Sequence, residues 1–234
     1  MSPPSKGEQT RGAILDRALD IASRLGLEGL TIGSLAEATG MSKSGLFAHF
    51  GSREELQLAV LEHGARRFGE QVLAPAVTID RGLPRLRALF DHWIDWTASS
   101  GLPGGCILLS AAHEFDDRPG VIRDAVAAGQ RRGLAVIERA VRLAIDEGHL
   151  REDADPEQIA FEMLGLILVA HNHRRLLSDR EARGRARAAF EALIARYAAP
   201  RAATRRRGAS AARGSPPPSR RPSICIVSAR ISVL

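Results

Sequence analysis

The hydrophobic positions fall on a helical period from one end of the chain to the other. Ile14, Leu15, Ala18, Ile21, Ala22 and Leu25 recur at three- and four-residue intervals, the template of one amphipathic helix. Gly26 stands where a helix-ending glycine belongs. Thr31 then reads as an N-cap for IGSLAEAT, with Ser34 where the acid of a capping box would sit, so this cap is expected to be incomplete. Gly40 closes that short helix. Ser42 caps a second, KSGLFAHF, which stops at Gly51. Ser52 and Glu55 form a full capping box for a third helix, whose apolar positions run through Leu56, Val60, Leu61 and Phe68 to Val72, with Pro75 as its expected terminator.

The pattern continues beyond Pro75. A helix from Pro84 to about Ser99 carries Leu86, Leu89, Phe90, Trp93, Ile94 and Trp96, and the Gly101–Gly105 segment breaks it. A short helix covers about Cys106 to His113. A long one begins at Pro119 and ends at Gly148. Asp155-Pro156, an N-cap followed by an N1 proline, opens the next through about Leu176. The last runs from about Asp179 to Ala198. No convincing strand occurs among about nine helices, so the fold class is all-α. Residues 1–7, rich in Pro, Ser and Gly, read as unstructured.

Charge changes the picture at one end only. The 234 residues carry a net +6, yet the stretch from Pro200 onward has eight arginines and no acid, which leaves residues 1–199 at −2. Bulk charge therefore says little about what the folded part binds. The stretch 200–234 is expected to be a disordered basic tail, for want of apolar periodicity. The longest apolar core run, Met163 to Ala170, is eight residues, far below the ~20 that span a bilayer. MSPPSKGEQT has no apolar stretch of the kind a secretory signal needs. Two distant cysteines, Cys106 and Cys225, fit a reducing compartment and exclude a disulfide framework. A cytoplasmic protein with no membrane partner is expected.

Chemistry is concentrated at residues 31–50. Two short helices joined by Ala38-Thr39-Gly40-Met41 make a helix–turn–helix, in which glycine supplies the freedom that the sharp turn requires. Leu35, Ala36, Met41, Leu46 and Phe50 are the packing positions. The second helix then offers Ser42, Lys43, Ser44, Gly45, Phe47 and His49, a polar and aromatic face suited to a major groove about 12 Å wide.

The wider string resembles the N-terminal DNA-binding domain of the TetR family of bacterial transcriptional regulators. The matching residues are Ile14-Leu15-x-x-Ala18, Gly26, Thr31-Ile32, Leu35-Ala36, Gly40-Met41-Ser42-Lys43, Leu46-Phe47-x-His49-Phe50 and Ser52-x-Glu54-Glu55-Leu56. The resemblance covers about residues 8–67; beyond it, residues 83–198 match the family in helix number and length. It implies that Ser42 to His49 form the recognition helix. Thr31 would bring a helix N-terminus to a phosphate. Lys43 and Ser44 would face base edges or phosphates, and His49 and Arg53 would meet phosphates. Phe47 stands where the family usually has tyrosine, keeping an apolar contact but losing a hydroxyl. Gly33 stands where some members place a base-reading arginine.

The remaining candidates lie in the body, residues 68–199. Phe90, Trp93, Trp96, Cys106 and His113 cluster in a segment holding four of the ten aromatics, and point to a small-molecule site. Each also reads as an ordinary core residue. Ile159, Phe161, Met163, Leu164, Leu166, Ile167, Leu168 and Val169 make a helix apolar on more than one side, which must be covered on both. This argument and the resemblance both put a homodimer interface at about 155–198. Catalytic strings are missing: there is no G-x-S-x-G, P-loop or H-E-x-x-H. His171 and His173, two apart on a helix, point to different sides and cannot share a metal. No cofactor is expected. The reading is a homodimeric, ligand-released repressor acting on a pseudo-palindromic operator. The alternative is a helical small-molecule-binding protein or enzyme with a vestigial helix–turn–helix.

Overall fold

Ser5 opens the first helix. Its hydroxyl accepts the Glu8 N–H while the Glu8 carboxylate accepts the Ser5 N–H at 2.7 Å, a complete capping box that starts α1 (Lys6–Gly29). The helix thus begins inside the segment that composition marks as unstructured, because two local hydrogen bonds outweigh a weak propensity. A computed structural model describes residues 5–200, apart from the Ser99 side chain; the basic tail lies outside the described residues.

Gly26 breaks α1 as expected. It adopts φ +77°, a left-handed value that favours glycine, and the chain resumes as a single turn to Gly29. Then follow α2 (Ile32–Thr39), α3 (Lys43–Phe50) and α4 (Arg53–Phe68), capped by Thr31, Ser42 and Ser52. The α2 cap is complete, contrary to expectation. The Ser34 hydroxyl accepts the Thr31 N–H at 3.0 Å while Thr31 Oγ1 accepts the Ser34 N–H at 3.0 Å. A serine at this position is long enough to do the work of the usual acid.

Pro75 does not end the helix that precedes it. Residues Gly69–Leu73 widen into a π turn, in which the Ala74 N–H reaches the Gly69 carbonyl, five residues back. Pro75 then sits in the first turn of the short α5 (Ala74–Val77), where its missing N–H is not needed. The ring is accommodated by the π turn, and α5 follows it directly.

The body comprises α6 (Leu83–Ser99), α7 (Ile107–Glu114), α8 (Val121–Asp146), α9 (Pro156–Leu176) and α10 (Ala182–Tyr197). Helix α6 packs against the π turn, α8 and α9, and α9 packs against α8 and α10. The described residues contain no named strand, only an isolated antiparallel bridge between Leu150 and Ala198. Buried residues form one continuous apolar cluster from Ile14 to Ile194. Helix α10 is fastened to α6 by charge as well as packing: Arg187 meets Asp91 and Asp95, Arg183 meets Asp95, and Arg87 meets Glu191. In the last pair each partner favours the other's charge, lowering the pKa of Glu191 and raising that of Arg87.

Candidate nucleic-acid interface

Helix α3 is anchored by two residues and open elsewhere. Leu46 and Phe50 are buried, and Arg11 lies over the Phe50 ring at 5.2 Å. Ser42, Lys43, Ser44 and Phe47 are exposed, Phe47 at 50%, an unusual state for a phenylalanine without a partner. Gly45 and His49 are half-buried. The Ser42 hydroxyl accepts the Gly45 N–H at 3.1 Å and pairs with Ser44 Oγ at 3.2 Å. Two of the hydroxyls expected on DNA are thus already fixing the helix start. A Cβ at Gly33 would lie 3.9 Å from Lys43 Cε, so the empty position 33 gives that lysine room to extend.

Arg53 does something other than expected. Its Nε donates to the Leu30 carbonyl at 3.3 Å, and its Nη2 donates to the Glu28 carbonyl and meets the Glu28 carboxylate at 3.2 Å. The guanidinium is committed to the segment between α1 and α2, because carbonyls left unpaired after the break at Gly26 need donors. Gln57, buried at 3% exposure, donates at 2.6 Å to the Leu27 carbonyl, which also accepts the Leu30 N–H at 3.1 Å.

The N–H groups of that segment are met from the body. Glu114, the last residue of α7, accepts from the Leu27 N–H at 2.9 Å and from the Glu28 N–H at 2.7 Å. A second junction lies nearby. The Gly104 N–H donates to Ser23 Oγ at 3.0 Å, and a Cβ at Gly104 would stand 1.5 Å from the Ser23 carbonyl oxygen. Sequence pattern gives no signal for Glu114, Gln57 or Gly104 as links, since their partners are 30 to 87 residues away.

The expected small-molecule cluster is divided. Trp93 and Trp96 are buried and meet Phe68 edge-on, at centroid distances of 4.8 and 6.0 Å. Phe90 points elsewhere, stacked on Phe190 of α10 at 4.0 Å. His113 is exposed, at the polar end of α7. The inward imidazole is that of His171, whose pKa is lowered by burial and then by Arg175 and His113. Burial likewise pushes the Cys106 thiol up, so it is a protonated core residue, with the Trp96 indole and two backbone N–H groups opposing the shift. His92 Nδ1, Trp93 Nε1, Arg132 Nε and His171 Nε2 are buried with no hydrogen-bond partner among the described residues. A separate cleft of about 630 Å³ runs between α1 and α4 and is lined by ionic groups, including Asp16, His63 and Arg67. His63 is buried there, with Nε2 2.7 Å from Asp16 Oδ1, and the cleft holds the two helices together through charge. No group of three or more potential metal ligands occurs among the described residues. None of their helices is long and apolar enough to cross a membrane.

Two family models match the chain: bacterial regulatory proteins of the TetR family over residues 14–60, and the tetracyclin repressor-like C-terminal domain over residues 82–190. The transcriptional repressor AcnR of Corynebacterium efficiens is 40% identical over 67 residues, which cover 29% of this chain and 36% of that protein. The chain thus spans about a third of the length of the curated repressors it matches. A TetR transcriptional regulator from Chloroflexus aurantiacus superposes with a TM-score of 0.76 at 25% identity, covering 83% of this chain and 98% of the other. AibR, solved with isovaleryl coenzyme A and operator DNA, gives a TM-score of 0.62 at 26% identity over 80% of this chain and 97% of its own.

Proposed function

This chain belongs to the TetR family of bacterial regulatory proteins, and from that premise we propose that it is a homodimeric transcriptional repressor released from its operator by a small organic effector. The observation that carries the reading is α3. Its apolar side is spent on Leu46 and Phe50, while Lys43, Ser44 and Phe47 are exposed on the side a major groove would meet. Lys43 is the base or backbone reader, Phe47 the apolar contact to a thymine methyl or sugar, and His49 a phosphate contact. Thr31 and Ser42 act as caps that present helix N-termini to phosphates. Arg53 shapes the interface from behind.

The test is a gel-shift titration on the operator upstream of the chain's own gene. Lys43→Ala is expected to weaken specific binding by about 1–3 kcal/mol, roughly 5- to 150-fold. Gly45→Asp is expected to abolish it. Gly45 is the third residue of α3, where an acid favours the helix dipole, so the fold survives while a negative charge faces the phosphates. If both variants bind like wild type, α3 is not the reading helix, and the alternative of a vestigial helix–turn–helix takes its place.

The effector site is proposed at the inward faces of α6, α8 and α9, around Trp93 and His171. Buried donors without partners, the Trp93 indole N–H and Arg132 Nε among them, call for a ligand with acceptor oxygens and an apolar body. AibR, bound to both an acyl thioester and DNA, supports the pairing of two such sites on one chain. The coupling is proposed to run through Glu114. An effector that moves α7 withdraws the carboxylate from the Leu27 and Glu28 N–H groups and shifts the segment leading into α2. Glu114→Ala is therefore expected to reduce operator affinity and to blunt the effector response together, read as a smaller ratio of operator affinities without and with effector. A ratio equal to wild type would exclude Glu114 as the link.

A further inference from the structure

We propose that the half-open cavity of about 170 Å³ between α6, α9 and the start of α10 binds a small phosphate-class oxyanion. Its walls are Arg174, Arg180 and Arg183, with Thr97 beside them, and no acid lines it. Arg183 is balanced by Asp95, whereas Arg174 and Arg180 make no ion pair among the described residues. Two exposed guanidiniums without an ion pair therefore border one small space, and a planar fork of N–H donors matches the geometry of a tetrahedral oxyanion.

The start of α10 adds to the same field. Glu181, its N-cap residue, makes no side-chain cap bond, and Asp179 takes only the Glu181 N–H, so the helix begins at this cavity with N–H groups unclaimed by any cap side chain. Asp95 is spent on Arg183 and Arg187, and the carboxylate of Asp179, the residue before Arg180, is engaged by Arg185, His173 and that N–H. The floor is apolar and rigid: Ile94 is 1% exposed and Ala170 is 5% exposed. An anion seated on it keeps its guanidinium partners out of competition from bulk water on one side.

The site is separate from the recognition helix and borders the proposed effector seam, with which it shares α6 and α9. Ala170 belongs to the buried side of α9, whereas Phe161, Val169 and Leu176 mark its exposed side, so a partner covering that exposed side leaves the cavity open. A bound oxyanion would tie the end of α9 to the start of α10 and to α6, raising the stability of the hairpin on which the proposed dimer depends.

The experiment uses the full chain and inorganic phosphate in a potassium chloride buffer of constant ionic strength. Calorimetric titration is expected to give a dissociation constant below about 1 mM for wild type, and phosphate at ten times that value is expected to raise the unfolding midpoint by a few degrees. Arg174→Gln with Arg180→Gln is expected to weaken binding at least tenfold and to remove the shift. Arg174→Lys with Arg180→Lys is expected to fall between, since charge is kept and the fork is lost. Both double variants change exposed side chains, and circular dichroism checks their fold. Absence of saturable binding to wild type overturns the proposal. So does binding unchanged in the glutamine variant, which would place the phosphate on other arginines such as those beyond Pro200.

Discussion

Gly104→Ala is expected to destabilise the protein by about 3 kcal/mol or more, lowering the unfolding midpoint by roughly 6–12 °C in a chain of this size. The cause is steric. Gly104 does not need a left-handed φ, so alanine carries no conformational penalty there, but its methyl carbon would lie 1.5 Å from the Ser23 carbonyl oxygen and 2.4 Å from the Arg24 nitrogen. Backbone cannot rotate away as a side chain can. The loop must lift off α1, losing the Gly104 N–H bond to Ser23 Oγ and exposing the apolar residues beneath. Gly12→Ala is the control. It sits inside α1 with nothing within 4 Å of the added methyl group, and is expected to stabilise by about 0.5–1 kcal/mol through helix propensity. Thermal unfolding of the two variants checks both signs. A Gly104→Ala midpoint within two degrees of wild type would mean that the loop has room the structure does not show.

Phe161→Glu combined with Val169→Glu is expected to convert the protein to a monomer and to reduce operator affinity by two to four orders of magnitude. Helix α9 buries Ile159, Ala160, Met163, Ile167 and Ala170 on one side. On the other it presents Phe161 at 72%, Val169 at 56% and Leu176 at 75% exposure, a stripe about 22 Å long at 1.5 Å rise per residue. Gly165 lies between them with open space above it, so a second helix can approach closely. An exposed apolar stripe of this kind calls for a partner, and a second copy supplies an identical stripe across a two-fold axis. Two charges in that seam cannot be paired by symmetry, since each would meet its own copy. Loss of the second half-site removes the multivalent term in operator binding. Sedimentation velocity at micromolar concentration gives the oligomeric state. A wild-type monomer would overturn the dimer, and a double variant that remains a dimer would move the interface elsewhere.

Apart from α5 and the π turn before it, each helix is legible in the apolar period, and four of them also in a capping residue. Thr31, Ser42, Ser52 and Asp155 each stand where their helix begins. What escaped is set by distance or by geometry with no sequence period. Pro75 reads as a terminator because proline forbids an i to i−4 bond, and a π turn that avoids that bond leaves no mark in the pattern. Phe90, Trp93 and Trp96 look like one group along the chain, yet Phe90 is drawn to Phe190, 100 residues away. Arg53 looks like a phosphate ligand by position, but the break at Gly26 creates carbonyls that claim it first. His113 stands near the aromatics in sequence yet is exposed, whereas His171 is turned inward, because burial is a property of the packed body.

The Glu114 bonds have a consequence in the opposite direction. Linkage is reciprocal: whatever factor an effector takes from operator affinity, operator DNA must take from effector affinity. The same two N–H···carboxylate contacts would then make the protein a poorer sensor when seated on DNA than when free. A cell holding few operators and many free dimers would therefore have its effector soaked up by the unbound pool before the seated copies respond. The concentration at which transcription turns on would depend on how much of the protein is made, and a repressor that limits its own synthesis would thereby hold that threshold steady.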